Sequence, residues 1–196
     1  LILKMGYQNV ISSSLSLGDK HTTLIITGPN AGGKTVALKM IGLLCLMTQL
    51  GLHIPTQPDS IIPIFDKVLV DIGDRQNLEQ DLSTFSAHII RLQDILQQAT
   101  SRSLILIDEI GTSTDPREGS SLAIAFLSEL NQRQILTVAT THHGELKAFA
   151  FNTPGVENAS MEFDLGTLLP TYRLRIGIPG TAGLGDGRRR GLRRGG

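Results

Sequence analysis

With 196 residues, a 40% hydrophobic share and an 18% charged share, the chain can build one full-sized core and not two comfortable domains. Two tyrosines, six phenylalanines and no tryptophan leave little material for stacking on nucleic-acid bases. The formal charge of zero is uneven: residues 181–196 hold five Arg against one Asp, so the rest sums to −4 and is no basic platform for nucleic acid.

Apolar runs alternate with helix-like stretches. "TLIIT" (23–27) has the pattern of a short buried strand. Residues 35–51 repeat apolar positions densely and stop at Gly51, a good C-cap position. Lys39 breaks this run, the longest candidate for a membrane span, so no membrane partner is expected. Cys45, the single cysteine, sits within it and is expected to be a buried, inert thiol in a reducing compartment. Pro55, Pro58 and Pro63 mark a loop, and "KVLVDIG" (67–73) reads as a strand. Over 86–99, Ile89, Leu92, Ile95 and Leu96 fall on one helical face. "SLILIDE" (103–109) is a buried strand ending in acid, 118–130 a helix and 134–142 another strand. "NASMEFD" and "PTYRLRIGI" read as a closing β-hairpin. Strands flanked by helices imply an α/β core with a largely parallel sheet.

The turn after the first strand, Gly28-Pro29-Asn30-Ala31-Gly32-Gly33-Lys34-Thr35, fits the phosphate-loop pattern G-x-x-x-x-G-K-[ST]. A phosphate chain needs several backbone N–H groups turned inward, and a permissive glycine backbone makes such a nest at low cost. The helix that follows offers its N-terminus to the anion. Lys34 can reach the β- and γ-phosphates, and the Thr35 hydroxyl can ligate Mg²⁺. The plainer reading is a glycine turn with an incidental Lys-Thr, but the position between strand and helix favours the phosphate loop. A partner acid is supplied by "LILIDE": Asp108 can support the metal, and Glu109 can orient or deprotonate a water. Solvated acids at a strand end are the competing description.

"ATTHHGEL" (139–146) places His142 and His143 at the end of the next strand, where ligands sit in parallel α/β sheets. His142 can contact a γ-phosphate or water, and His143 reads as structural. Ser83 and Thr84 precede an amphipathic helix, as an N-cap, an anion site or both. "GTSTDP" (111–116) reads as a turn, and Gln76 as a solvated loop glutamine that could also reach the metal or water.

In this order, "GPNAGGKT", "LSTFSAH", "LILIDEIGTSTDP" and "ATTHHGELKAFAFNTPGVENASMEFD" resemble the ATPase domain of MutS proteins, closest to the second MutS branch, which lacks the mismatch-reading domains. The resemblance runs from about residue 10 to 180. It implies a P-loop NTPase of the ABC-type, RecA-like class: a three-layer fold with a mainly parallel sheet and antiparallel peripheral strands. It implies a Walker A loop at Gly28, Pro29, Asn30, Ala31, Gly32, Gly33, Lys34 and Thr35, and a Walker B pair at Asp108 and Glu109. Ser83 would face ATP held by the partner subunit, Asp115 would line the dimer interface, and His142 would be the switch histidine. It further implies ATP and Mg²⁺ as ligands, a homodimer through these domains, and hydrolysis coupled to clamping on nucleic acid. Branched DNA or the stalled ribosome would be engaged through domains outside this chain, in a bacterial cytoplasm or a plastid.

The resemblance also exposes departures. The coiled-coil clamp that usually precedes this domain and the Smr nuclease domain that usually follows are absent, and no starting Met or secretory signal stands at the N-terminus. After "IGIPG" the family continues with a polar turn and a helix, whereas here "TAGLGDGRRRGLRRGG" follows. The expectation is a MutS-type ATPase domain over 1–180 and a disordered Gly/Arg tail over 181–196, from a truncated or frame-shifted reading frame or as a genuine basic tail. Competing functions are a nucleotide-binding fragment that does not turn over and a P-loop small-molecule kinase. No metal cluster beyond the Mg²⁺ set supports a freestanding nuclease.

Overall fold

The computed structural model describes residues 11–29, 32–73, 81–112, 115–164, 166–167 and 169–178, with backbone alone at 81–85. Asn30, Ala31, Gln76, the side chains of Ser83 and Thr84, and the tail 181–196 therefore lie outside the described residues.

The elements are β1 (Thr23–Thr27), α1 (Lys34–Gln49), β2 (Lys67–Asp71), α2 (Asp81–Gln98), β3 (Ser103–Ile107), α3 (Pro116–Gln132), β4 (Leu136–Thr141), α4 (Gly144–Asn152), β5 (Val156–Asp164) and β6 (Leu169–Ile176). They form one six-stranded sheet in the order β2-β3-β4-β1-β5-β6. All neighbours are parallel except β5 and β6, which close the sheet as an antiparallel pair with an irregularity between Met161 and Phe163. The α/β expectation and the closing hairpin are both met.

Helices cover both faces, and for that reason the inner strands β1, β3 and β4 are buried almost end to end rather than in alternation. Leu24, Ile26, Leu104, Leu106 and Val138 point to one face and pack on Ala37, Leu38, Ile41 and Cys45 of α1. Ile25, Ile105, Ile107 and Ala139 point to the other and meet Leu92 and Ile95 of α2, Phe126, Leu127 and Leu130 of α3, and Leu146 and Ala150 of α4. The period-two alternation of side chains splits one apolar run between two cores. A side chain such as Leu38, fully buried, contributes about 2 kcal/mol by leaving water. Burial also pushes the Cys45 thiol above its ordinary pKa, as an inert thiol requires.

Local chemistry sets the element ends. At the end of α1, the Gly51 N–H donates to Thr48 O and the Leu52 N–H to Met47 O, with Gly51 at φ 70°. This double closure needs a left-handed residue at Gly51, one position beyond the Leu50 cap. Asp115 caps α3 by accepting from the Arg117 N–H, and Pro116 opens the helix.

One expectation needs correction, and one element went unread. Helix α2 starts at Asp81 rather than near 86, so Ser83 and Thr84 lie in its first turn and not at an N-cap. An acid at the first helical position and the absence of Gly or Pro up to Gln98 let the helix run further back than its apolar stripe. Helix α4 was not expected from the sequence: it has nine residues and only Leu146 and Ala150 are buried, too short a stripe to stand out.

Candidate functional site

Strands β1, β3 and β4 run parallel and in register, so the segments after Thr27, Ile107 and Thr141 emerge at one end of the sheet. Loops leaving that end are where parallel α/β sheets hold ligands. Of the expected residues, Gly28, Pro29, Gly32, Gly33, Lys34, Thr35, Asp108, Glu109, His142 and His143 lie there.

The glycine turn leaves β1 with Gly28 at φ 139° and enters α1 through Gly33 at φ 88°. Both angles lie where side chains with a Cβ are strained. Within the turn the Gly32 N–H donates to Pro29 O at 2.9 Å. Helix α1 then opens with no side-chain cap and no acid in its first turn. Its N-terminus and the positive end of its dipole face the loop, an arrangement suited to an anion.

Lys34 is only 2% exposed, and its Nζ donates to Gly28 O at 2.8 Å. Burial lowers the ammonium pKa from its usual value, and the nearby charges of Glu109 and Asp108 pull it back up. The lysine head therefore lies across the turn, within the field of both acids.

Asp108 is held by hydroxyls. Thr35 Oγ1 donates to Oδ2 at 2.7 Å, and Thr140 Oγ1 donates to Oδ1. The same Thr140 oxygen accepts the Glu109 N–H at 2.8 Å. Glu109 stands at φ 52°, a left-handed conformation that costs a residue with a side chain of order 1–3 kcal/mol. Its neighbours hold it there: Thr112 Oγ1 donates to Glu109 O at 2.8 Å, and the Ile110 N–H donates to Thr140 O at 2.9 Å. The turn swings the Glu109 side chain out of the alternation of β3 and into the field of Lys34 and His142.

His142 is exposed, and its ring stacks on that of buried His143 with centroids 4.5 Å apart and planes 28° from parallel. Partial burial is the main cause that lowers the His142 pKa, followed by the like-charge effect of His143; Glu109 opposes them. The ring therefore favours its neutral form, able to accept as well as donate.

Two residues of the site were not singled out in the sequence. Thr140 ties Asp108 and Glu109 together, but in "ATTHHG" it reads as one more β-branched strand residue. The Tyr172 ring packs so closely on the glycine turn that a Cβ on Gly33 would come within 2.8 Å of it. Tyr172 is about half exposed and also has a positive φ. It comes from β6, and no local spacing rule ties it to a turn so far upstream. Asp115 is exposed and caps α3, while Ser83 is placed by its backbone alone. Among the described residues no three His, Cys, Asp or Glu side chains gather into a metal cage, and no helix is long and apolar enough to cross a membrane.

Comparison with known families matches residues 24–177 to MutS domain V. The chain belongs to the MutS family. The matched span takes in the glycine turn, the acid pair, His142 and Tyr172. Among curated MutS-family relatives, the chain is similar to Endonuclease MutS2 of Halothermothrix orenii, 57% identical over 166 residues, which is 85% of the chain and 21% of that protein. To Endonuclease MutS2 of Geobacillus kaustophilus it is 54% identical over 189 residues, 96% of the chain and 24% of that protein. The same-named protein of Alkaliphilus metalliredigens is 53% identical over 176 residues. The chain thus spans between 21% and 24% of the length of the first two relatives.

Proposed function

We propose that this chain is the ATPase domain of a longer MutS protein of the second branch: a P-loop NTPase of the ABC type that binds ATP with Mg²⁺ and hydrolyses it. The observation that carries this reading is the 2.7 Å contact between Thr35 Oγ1 and Asp108 Oδ2. It joins the glycine turn to an acid 73 positions away, and the two oxygens meet beside the open N-terminus of α1. Two hard oxygens, with no cage of acids among the described residues, suit magnesium, which takes its remaining ligands from phosphate and water. When bound, that ion would supply neutralisation of the phosphate charge.

The chain's own groups supply the rest. The amides of the glycine turn and of the first turn of α1 grip the phosphates. Lys34 leaves Gly28 O for the β- and γ-oxygens and counters the charge that develops there. Glu109, swung clear of its strand, accepts a proton from the attacking water, and this separates a hydrolase from a kinase that must shelter an acceptor. Neutral His142 hydrogen-bonds the γ-phosphate or the water. Tyr172 offers a half-exposed ring face beside the turn for the adenine base.

ATP binding joins two copies, with Ser83 at the start of α2 completing the site of the partner and Asp115 along the interface. Hydrolysis then drives clamping on branched DNA or a ribosome by parts of the longer protein, in the cytoplasm. The test is a mass measurement of wild type and Glu109→Gln with Mg-ATP, with phosphate release assayed on the same samples. Glu109→Gln should form a stable dimer and release phosphate about a thousandfold more slowly. Lys34→Ala should bind nucleotide poorly. A Glu109→Gln protein that binds ATP yet turns over at the wild-type rate would remove the catalytic assignment.

A further inference from the structure

A second acid-bearing strand end lies beside the site and has no part in the chemistry above. Asp71, the last residue of β2, is buried, and Oδ2 lies 2.9 Å from Nδ1 of buried His88 on α2. Its other oxygen lies 3.3 Å from Nη1 of Arg91, whose side chain is largely exposed. The carboxylate oxygen and the ring nitrogen are thus in direct polar contact across the strand end and the helix. His88 and Arg91 are three apart and share a face of α2, so one carboxylate holds the helix at two points a turn apart. Two such points fix both the axial position and the rotation of α2.

The same residue touches the candidate site. The Asp108 N–H donates to Asp71 O at 2.9 Å. Asp71 thus joins the acid that faces the nucleotide, through a peptide hydrogen bond, to the helix whose first turn carries Ser83. His88 lies five residues beyond Ser83, about 7.5 Å along the helix axis. A buried polar group is a poor source of stability compared with packed apolar side chains, and its well-attested use is to fix one arrangement among several.

We propose that Asp71, His88 and Arg91 are positioning residues that pass the loading of the nucleotide site to the start of α2, and so set whether Ser83 can engage nucleotide held by a second copy of this chain. The inference rests on the reading of Ser83 given above. When Asp108 takes up its loaded position, the Asp71 peptide follows, and the carboxylate carries α2 with it.

The test uses this chain in the Glu109→Gln background, with three additional variants. His88→Leu removes the contact and keeps the bulk, His88→Asn keeps an N–H donor near the Nδ1 position, and Arg91→Gln removes the exposed arm without touching the core. ATP-dependent dimerisation should weaken about tenfold in His88→Leu, within the range that single positions in a coupled network carry. It should weaken less in Arg91→Gln and recover in His88→Asn, while nucleotide affinity of the monomer stays unchanged in all three. A merely structural contact would lower affinity and dimerisation together, and that result overturns the proposal. So does full dimerisation in both His88→Leu and Arg91→Gln. If His88→Leu fails to fold by circular dichroism, Arg91→Gln decides alone. If the Glu109→Gln reference stays monomeric, the dimer reading fails, and hydrogen exchange then decides this one. Mg-ATP should slow exchange of the 86–91 amides in the parent and not in Arg91→Gln; equal protection in both overturns the link.

Discussion

Asp71 and Asp108 end neighbouring parallel strands and are joined by a backbone hydrogen bond, yet their surroundings differ in kind. Asp108 is half-buried and receives hydroxyl protons from Thr35 and Thr140. Asp71 is buried and answered by an imidazole and a guanidinium. A carboxylate held by neutral hydroxyls keeps its negative charge available to a cation, and the hydroxyls can turn to follow it. One set between an imidazole and a guanidinium, both on one helix, has its oxygens engaged by that helix. The type of donor, more than the presence of acid, separates a site for chemistry from a mechanical joint.

The sharpest way to break this comparison is to remove each acid. Asp71→Ala should cost about 2 kcal/mol of stability, because the buried His88 ring and the Arg91 guanidinium lose the carboxylate they contact. It should leave the magnesium requirement for nucleotide binding unchanged. Asp108→Asn should do the reverse, raising the magnesium needed for half-maximal binding about tenfold with little loss of stability. Urea unfolding and nucleotide titration at several magnesium concentrations read both quantities. Equal behaviour of the two variants would erase the distinction drawn here.

Thr140→Val tests the hydroxyl side. It strips Asp108 of one donor and the Glu109 N–H of its acceptor. A loss of about 1 kcal/mol in urea unfolding is expected, since a half-buried N–H is left unanswered. Glu109→Gly probes the strained turn that follows. The left-handed backbone at φ 52° is relieved by glycine, so the variant should be about 1 kcal/mol more stable while losing hydrolysis. A less stable protein would mean that the Glu109 side chain contributes more than the strain costs.

The smallest expected effect concerns His142. Its NMR titration midpoint should fall below 6.5, and His143→Phe should raise it, because the like-charge effect of His143 is then removed. The sign for stability follows. The unfolded chain takes up this proton at higher pH than the folded one, so the His142 contribution is complete above the ordinary imidazole range. It is lost as the pH falls toward the depressed value. A midpoint at or above 6.5 would show that the pull of Glu109 outweighs burial.

Much of this was legible in the chain. The glycine turn, the acid pair and the histidines are local patterns whose chemistry depends on near neighbours, and the structure places Gly28, Lys34, Thr35, Asp108, Glu109 and His142 at one end of the sheet. Helix α4 was missed because two buried residues in nine make no visible period. The start of α2 was misplaced because its apolar stripe begins after its backbone does. Asp71 and His88 were read only as part of a strand and a helix.

The sequence by itself determined the element types apart from α4, the parallel core and the phosphate-loop pattern, because those follow from apolar periodicity and from glycine, proline and hydroxyl chemistry within a few residues. Only the tertiary structure decided that Thr140 would join Asp108 to Glu109, that Tyr172 would lie on Gly33, and that Asp71 would hold α2. Each of these contacts spans strands distant in the chain or a strand and a helix. Their partners are selected by sheet order and register, which no local pattern encodes.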